Sequence, residues 1–369
     1  MKKISYLFLL LVATYFIVAP FVVAEESQTL SSKNQETLEA VVSNIIEEKD
    51  IQPMGQQNWQ LYQSLELSIT KGSIRGKKII IENGKLPAAN IQKYVIGDKV
   101  MVSRSGNNYY ISDYMRRDAL IFLFLIFIGL TVYIAKWRGI LSLVGMSISF
   151  AVIFMYILPN ILTGSDPTQT AITASLIIIP VTFYFSHGFN LKTSIAVIGT
   201  VIALVCTGIL AHYFIDAAKL TGFASEEAGF LQVAIHGAIN MKGLLLAGII
   251  IGVLGVLDDI TISQSAIVFQ LKQANPSLSF YELYRRAMSV GQDHISSMVN
   301  TLILVYTGAA MPLLLLFINN PRPFTEIINY ELIADEIIRT LVGSVGLILS
   351  VPITTFIASY FAAKQKNIK

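Results

Sequence analysis

The run "GVLGVLDDITISQS", Gly252 to Ser265, sets two adjacent carboxylates, Asp258 and Asp259, in a stretch whose other residues suit the middle of a membrane helix. A charged side chain at the bilayer centre costs several kcal/mol, and the easiest relief is to bind a proton or find a cation. Two neighbouring carboxylates make simultaneous ionisation less favourable still, so the two would titrate as a coupled pair. That chemistry is proton exchange. A competing reading places them at the cytoplasmic edge as capping or snorkelling residues, because the strictly apolar run ends at Leu257; against it, "IVFQL" restores the apolar pattern beyond them.

Helical geometry says what must hold such a pair. Gly248, Gly252, Gly255, Asp259 and Ser263 recur at three- and four-residue spacing and share one face, and small residues at that spacing admit a close neighbouring helix. Asp259 is therefore expected to face protein, with Asp258 about 100° further round near Thr261 and Ser265. Asp293, Asn300 and Thr307 repeat every seven residues on a later helix, with Ser296, Ser297 and Gly308 nearby, and Gly343, Gly346, Ser350 and Thr354 repeat on the last. Three such stripes predict one packed core around the aspartates. Asp293 and His294 lie nearer the cytoplasmic face, while His236, Asn240 and Lys242 lie at the outer mouth of the aspartate-bearing helix as possible lining of an entry path. His187 and His212 read as helix-end residues.

The chain as a whole is built for lipid. Its 369 residues are 54% hydrophobic and 14% charged, so a soluble globular protein is excluded in favour of a membrane protein. A span needs about 20 mostly apolar residues, and eight stretches qualify: 5–23, 118–136, 140–158, 169–187, 192–214, 242–268, 297–318 and 337–362. The fold class is thus an α-helical polytopic membrane protein of about eight spans, counting the N-terminal one. A net charge of +3 with dispersed Lys and Arg gives no nucleic-acid surface. The lone Cys206 and four scattered histidines supply neither a disulfide framework nor a metal site, no cofactor motif is present, and the absence of a Gly-rich loop ending in Gly-Lys-Ser/Thr excludes ATP hydrolysis by this chain.

Lys2 and Lys3 before the first apolar run, and Ala24 after it, make residues 1–24 a signal peptide or signal anchor. Residues 25–115 then form an extracytoplasmic segment. "NQETLEAVVSNIIEEKD" reads as partly helical, whereas "LELSITKG", "KKIIIENG", "KYVIGDKVMVSRS" and "NNYYISDY" cluster β-branched and aromatic residues between turn signals at Gly84, Gly97-Asp98 and Gly106-Asn107. They predict a small β domain over 65–115, most simply an antiparallel barrel of the OB or SH3-like kind. A connecting transmembrane helix, 116–138, leads to a six-helix membrane domain, 139–363, and a basic tail, 364–369. "NPSLSFYELYRRAMSVGQ" reads as a short amphipathic helix capped by Ser279 on the cytoplasmic surface. Lys136, Arg138, Lys192, Lys272, Arg285, Arg286 and the C-terminal lysines all fall on the cytoplasmic side if both termini do, with Arg116 and Arg117 as the exception. That topology fits the plasma membrane of a bacterial cell.

The segment from "GVLDDITISQS" through "FYELYRRAMSVGQDHISSMVNTLILVYTGAAMPLLLLF" resembles the core of the YibE/F family of bacterial multi-span membrane proteins, and "YVIGDKVMVS", "YYISDYMRRD" and "SHGFNLKTS" resemble its other landmarks. The resemblance implies a probable transporter and hands over no mechanism. More loosely, the acidic pair after a glycine-rich approach, "AAMPLLLLF" and "SVPITTF" are similar to one half of proton-driven permeases of the RND and SecD/SecF type. Two features depart from that pattern: no Lys or Arg lies deep in a span as counter-ion, and the large external domain is reduced to "PNILTGSDPTQT". The likeness therefore implies a homodimer, or a heterodimer with a paralogous membrane protein, within the lipid bilayer.

Three functions follow as expectations. The first is a proton-coupled transporter or export component in which Asp258 and Asp259, with Ser263, Asn300 and Thr307, couple protonation to helix movement. The second is a membrane scaffold or insertion factor whose β domain binds partners. The third, an intramembrane aspartyl hydrolase, needs acids from two helices and a Gly-x-Gly-Asp signature that "GVLD" lacks; the chain is accordingly expected not to be an enzyme.

Overall fold

The computed structural model describes residues 35–53, 58–87, 90–234, 237, 239–318 and 322–365. The expected signal segment and His236 lie outside the described residues. Two compact units emerge, one within Phe21–Thr131 and one within Val132–Lys369.

The first is a five-stranded antiparallel sheet: β1 Gln35–Ile51, β2 Gln60–Lys71, β3 Lys78–Asn83, β4 Lys99–Ser105 and β5 Asn108–Tyr114, in the order β3-β2-β1-β4-β5. It is an open half-barrel with β3 and β5 as edges, not a closed barrel. The sheet begins at Gln35, and the segment expected to be partly helical is its central, longest strand. The reason is two-sided pairing: Leu38, Ala40 and Val42 alternate into the core while β1 pairs with both β2 and β4, which overrides the helix propensity of its glutamates. Leu65, Leu67, Ile69, Ile81, Val100 and Val102 complete that core. Gln63 is fully buried and fully used: its amide donates to Tyr94 O and accepts from Tyr94 N, both at 2.9 Å, which ties the β3–β4 connection to the sheet.

The second unit is a helical bundle. α1, Arg117–Val152, has a non-helical residue at Lys136 (φ 52, ψ −132) and runs through a π-helical turn, Ile153–Ile157, into α2, Leu158–Leu162. The spans expected at 118–136 and 140–158 are thus two arms of one apolar run broken at Lys136. There follow α3 Pro167–His187, α4 Leu191–Ala217, α5 Glu226–Ala234, α6 Met241–Ala274, α7 Phe280–Ala309, α8 Met311–Ile318, α9 Phe324–Ile327 and α10 Glu331–Lys364. Among the described residues, five helices are long and apolar enough to cross a membrane, or six if α7 and α8, bent by 70°, form one broken span. Polar caps start the bundle helices: Asp166, Asn190 and Asn240 each accept from the N–H three residues on, and Ser279 with Glu282 makes a capping box. The amphipathic segment expected to stand alone is the first half of the continuous α7, since nothing after Gly291 interrupts its hydrogen bonding.

Packing in the bundle depends on missing side chains. A Cβ on Gly346 of α10 would land on the Thr207 hydroxyl of α4, and one on Gly199 of α4 would land on that of Thr354 of α10. Gly291 of α7 has only 2.6 Å between a notional Cβ and Val351 Cγ1. Buried hydroxyls and one amide then cross-link the helices: Thr200 to Thr261 at 2.6 Å, Ser265 to Lys192 O at 2.8 Å, and Gln264 to Ala287 O at 2.8 Å.

Replacing Gly199 or Gly346 by Ala is expected to lower stability by about 1–3 kcal/mol through overpacking, whereas Gly248→Ala and Gly255→Ala, with nothing within 4 Å, should change it little. Thermal unfolding of the detergent-solubilised chain orders the four variants, and equal losses in all would refute the packing scheme. In the β unit, Glu36 is held below the usual carboxylate value of 4.5 by bonds from Ser73, Glu48 by Lys93 and Gln63, and Glu66 by Lys78 and Ser43. A depressed folded pKa adds stability above the ordinary range that is lost as pH falls through the folded value. The protection of β1–β3 amides relative to their free-chain exchange rate at the same pH should therefore fall below about pH 4.5, and high salt should shrink the effect because the pairs are exposed.

Candidate functional site

α6 is the most buried of the long helices, so its surroundings can be read around its circumference. Leu254 and Thr261 face α4, with Thr261 bonded to Thr200. Val253 and Leu257 face α10, where Gly343 lies 3.4 Å from Val253 Cγ2 by its notional Cβ. Val256 and Ile260 meet Leu302 and Tyr306 of α7 together with Leu347 of α10. Asp258 turns to α3, where Thr182 Oγ1 stands 3.3 Å from its Oδ2. The remaining sector, between the α3 side and the α7 side, carries Gly248, Gly252, Gly255 and Asp259, all exposed, with Ser263 half-buried at its end.

This geometry corrects two expectations. The glycine stripe is indeed one face, yet among the described residues no helix packs on it: nothing lies within 4 Å of a Cβ built on Gly248 or Gly255, and the first atom met from Gly252 is the Tyr306 hydroxyl at 3.9 Å. Asp259 therefore stands open on a glycine-floored strip and faces no protein among the described residues. The α7 stripe does not meet the aspartates either. α7 turns Met288, Ile295, Met298, Leu302 and Tyr306 inward, which leaves Asp293, Asn300 and Thr307 half a turn away, exposed on its outer side with Ser296 and Ser297. His294 is half-buried, and its Nδ1 has no partner. The third stripe is buried as expected, but Gly346 and Thr354 pack chiefly against α4.

The two carboxylates are thus unequal. Asp258 is half-buried, and its Oδ1 is a buried acceptor without a partner. Among the described residues neither aspartate has an ion-pair partner. Thr182 has one hydroxyl hydrogen and three oxygens around it: Ile178 O at 3.0 Å, Ile179 O at 3.1 Å and Asp258 Oδ2 at 3.3 Å. That one hydrogen is shared among the three, and toward Asp258 the Thr182 hydroxyl is the donor. Pro180, two residues away, leaves α3 one backbone hydrogen bond short at this point.

Comparison with known families meets this architecture at the helical unit: a family model described as YibE/F-like protein matches residues 123–364. The chain belongs to the YibE/F-like family. The YibE/F-like match takes in α6, α7 and α10 whole and begins within α1, so the sheet precedes it. No curated protein and no solved structure matches the chain, and nothing in the comparisons carries the looser likeness to RND-type permeases.

One polar feature escaped sequence reasoning. Asp335 and Arg339, four residues apart on α10, pair at 3.3 Å on the side that also carries Gly343 and Gly346, and Asp335 Oδ1 and Arg339 Nε are buried without hydrogen-bond partners. The signal was the i,i+4 spacing in "ADEIIRT", which lies at the start of a span where charge reads as a helix end. Of the outer-mouth residues, Asn240 caps α6 through Gly243 N and Lys242 pairs with Asp216.

Thr182→Val removes a hydroxyl that donates to Asp258 and should therefore raise carbodiimide labelling of Asp258 at neutral pH by roughly two- to tenfold, the value of one hydrogen bond to the ionised form, and Thr182→Ser should return it to the starting level. Unchanged labelling in the valine variant would show that Thr182 does not bond the carboxylate.

Proposed function

We propose that the chain is an integral membrane transporter or export component in which proton exchange at Asp258, beside Asp259, is coupled to rearrangement of α3 and α7 about α6. The observation that carries this reading is the unpartnered Oδ1 of Asp258 inside an apolar helix, next to a strip that none of the described residues covers. Neutralising a half-buried carboxylate removes a desolvation cost of several kcal/mol, enough to bias a two-state packing of neighbouring helices. Ser263 lies along the same strip as a polar stepping point. Asn300, Thr307 and Asp293 take a different part in the proposal: facing outward on α7, together with the bare glycines of α6, they call for cover by protein in hydrocarbon. We assign that cover to a second copy or a paralogous membrane protein. The membrane is the bacterial plasma membrane, with both termini cytoplasmic and residues 25–115 outside, following the distribution of Lys and Arg. The chemistry proposed is not enzymatic.

The scaffold reading draws on a different feature. A cleft of about 740 Å³ lies beside both open edges of the sheet and is lined by Glu82, Asn83, Gln92, Tyr109, Tyr110 and Asp113 among others. Free strand edges invite a partner, and under this reading the helices only hold the sheet at the membrane.

Carbodiimide labelling in native membranes across pH, with peptide mapping over Gly243–Gln270, separates the two without a known substrate, since the reagent modifies protonated carboxyls in apolar surroundings. Labelling at Asp258 near neutral pH that disappears in Asp258→Asn and persists in Asp259→Asn is the expected result. Absence of labelling at Asp258, with external acids reacting normally, would move the assignment to the scaffold.

A further inference from the structure

Among the exposed aliphatic side chains of the β unit, which also include Ile46, Ile80 and Leu86, Val95 and Ile96 are 51% and 62% exposed. Val95 and Ile96 are adjacent in a tight turn that the chain holds rigidly. Val95 N donates to Asp98 Oδ2 at 2.8 Å, Asp98 N donates to Val95 O, and Gly97, at φ 97, takes the conformation that L side chains resist. Gly97 N and Asp98 O are paired in turn with Val42 O and Val42 N of β1, each at 2.9 Å. Loops normally show water their polar residues, so two neighbouring aliphatics fixed outward need a reason.

The position of the turn supplies one. β4 starts at Lys99, directly after the turn, and runs antiparallel to β5, whose end at Tyr114 leads within three residues into α1. The turn therefore sits at the end of the β4–β5 pair from which α1 departs, beside Val42 in the middle of β1, which runs on with β2 to Ile51 and Gln60. Lys99 Nζ meets Asp118 Oδ2 at 2.6 Å, and Arg117 meets Glu39 at 3.1 Å, so the first turn of α1 is tied to that part of the sheet. Immediately beyond, Leu120, Ile121, Phe122 and Leu123 are each at least half exposed, and four successive helical residues look out on every side. A helix apolar all round is solvated by lipid. The hydrocarbon boundary then falls just after Asp118, within the reach of one lysine side chain from the start of β4.

We propose that the Val95–Ile96 turn is a membrane-docking edge: it inserts its aliphatic side chains at the interface of the bilayer that α1 enters, so this end of the β4–β5 pair rests on the lipid surface. The occupant is lipid because the turn stands where the apolar helix begins, with Lys99, Arg116 and Arg117 at the level of the headgroups. The proposal is independent of what the aspartates do.

The test uses the full-length protein in bilayers of phosphatidylcholine with a minor fraction of phosphatidylglycerol. Spin labels go at Val95→Cys, Ile96→Cys and, as control at the opposite end of the β4–β5 pair, Asn107→Cys, each on a Cys206→Ser background. Labels at 95 and 96 should be more accessible to oxygen than to a water-soluble nickel chelate, and the label at 107 should show the reverse. Equal chelate access at 96 and 107 would overturn the proposal. So would labels at 95 and 96 that are shielded from both reagents, since a protein would then occupy the edge. Ile96→Trp with brominated acyl chains gives the same answer with Cys206 intact: added quenching relative to the unmodified chain supports insertion, and its absence refutes it.

Discussion

Two helices of the bundle come together only because each lacks a side chain where the other presents a threonine. Gly346 receives Thr207, and Gly199 receives Thr354, so α4 and α10 close on each other along much of their length. Once they do, α6 has only one place to lie, with Thr261 bonded to Thr200 and Val253 against Gly343. Its rotation is then fixed, because Thr261, Gln264 and Ser265 are all fully buried and each holds a specific partner on a neighbouring helix. The direction of Asp258 follows from that rotation. A polar side chain in an apolar interior is costly to misplace, and these three residues make any other rotation of α6 cost several hydrogen bonds. The carboxylate meets α3 as a consequence of packing at residues that are not themselves acidic.

The same constraint explains why the two aspartates differ although they are neighbours in sequence. With α6 held on the α4 and α10 sides and touched by α7 at Val256 and Ile260, one sector of it is left uncovered by the described residues, and the glycines fall there together with Asp259. Asp258, about 100° round the helix, is drawn to the α3 wall. One acid is thus positioned against a hydroxyl and a proline-weakened helix, and the other looks into the open strip. Adjacent residues on one helix diverge, so the two carboxylates meet different surroundings.

Much of this was legible in the sequence. The apolar runs locate α3, α4, α6 and α10, Ser279 marks the start of α7, and turn residues at Gly84, Gly97 and Gly106 bound the strands. The glycine spacing on α6 correctly defined a face. What periodicity could not supply was which face of one helix meets which face of another, because lipid and protein interior are equally apolar and the usual inside-outside signal vanishes in a membrane. Asp293, Asn300 and Thr307 were placed toward the aspartates on polarity alone, whereas Met288, Ile295 and Leu302 on the opposite side make the fit to α6 and α10. β1 was misread for a related reason: its glutamates favour a helix locally, and only pairing on both sides, a long-range property, makes it the centre of a sheet.

The features left uncovered are consistent with one another. A bare glycine strip with a carboxylate on α6 and an outward row of Asp293, Asn300 and Thr307 on α7 are each unfavourable against hydrocarbon, yet in one chain they occur on adjacent helices. A surface that is both smooth and polar is poorly suited to lipid and well suited to another helix, which gains close approach from the glycines and hydrogen bonds from the amide and hydroxyls. If that neighbouring helix moved, Asp259 would pass between protein and a wetter environment without any change within the chain's own core, where Gly199, Gly346, Thr200 and Gln264 hold the packing. The tightly packed part of α6 and its open part are therefore different faces of the same helix, and the carboxylates lie on the line between them.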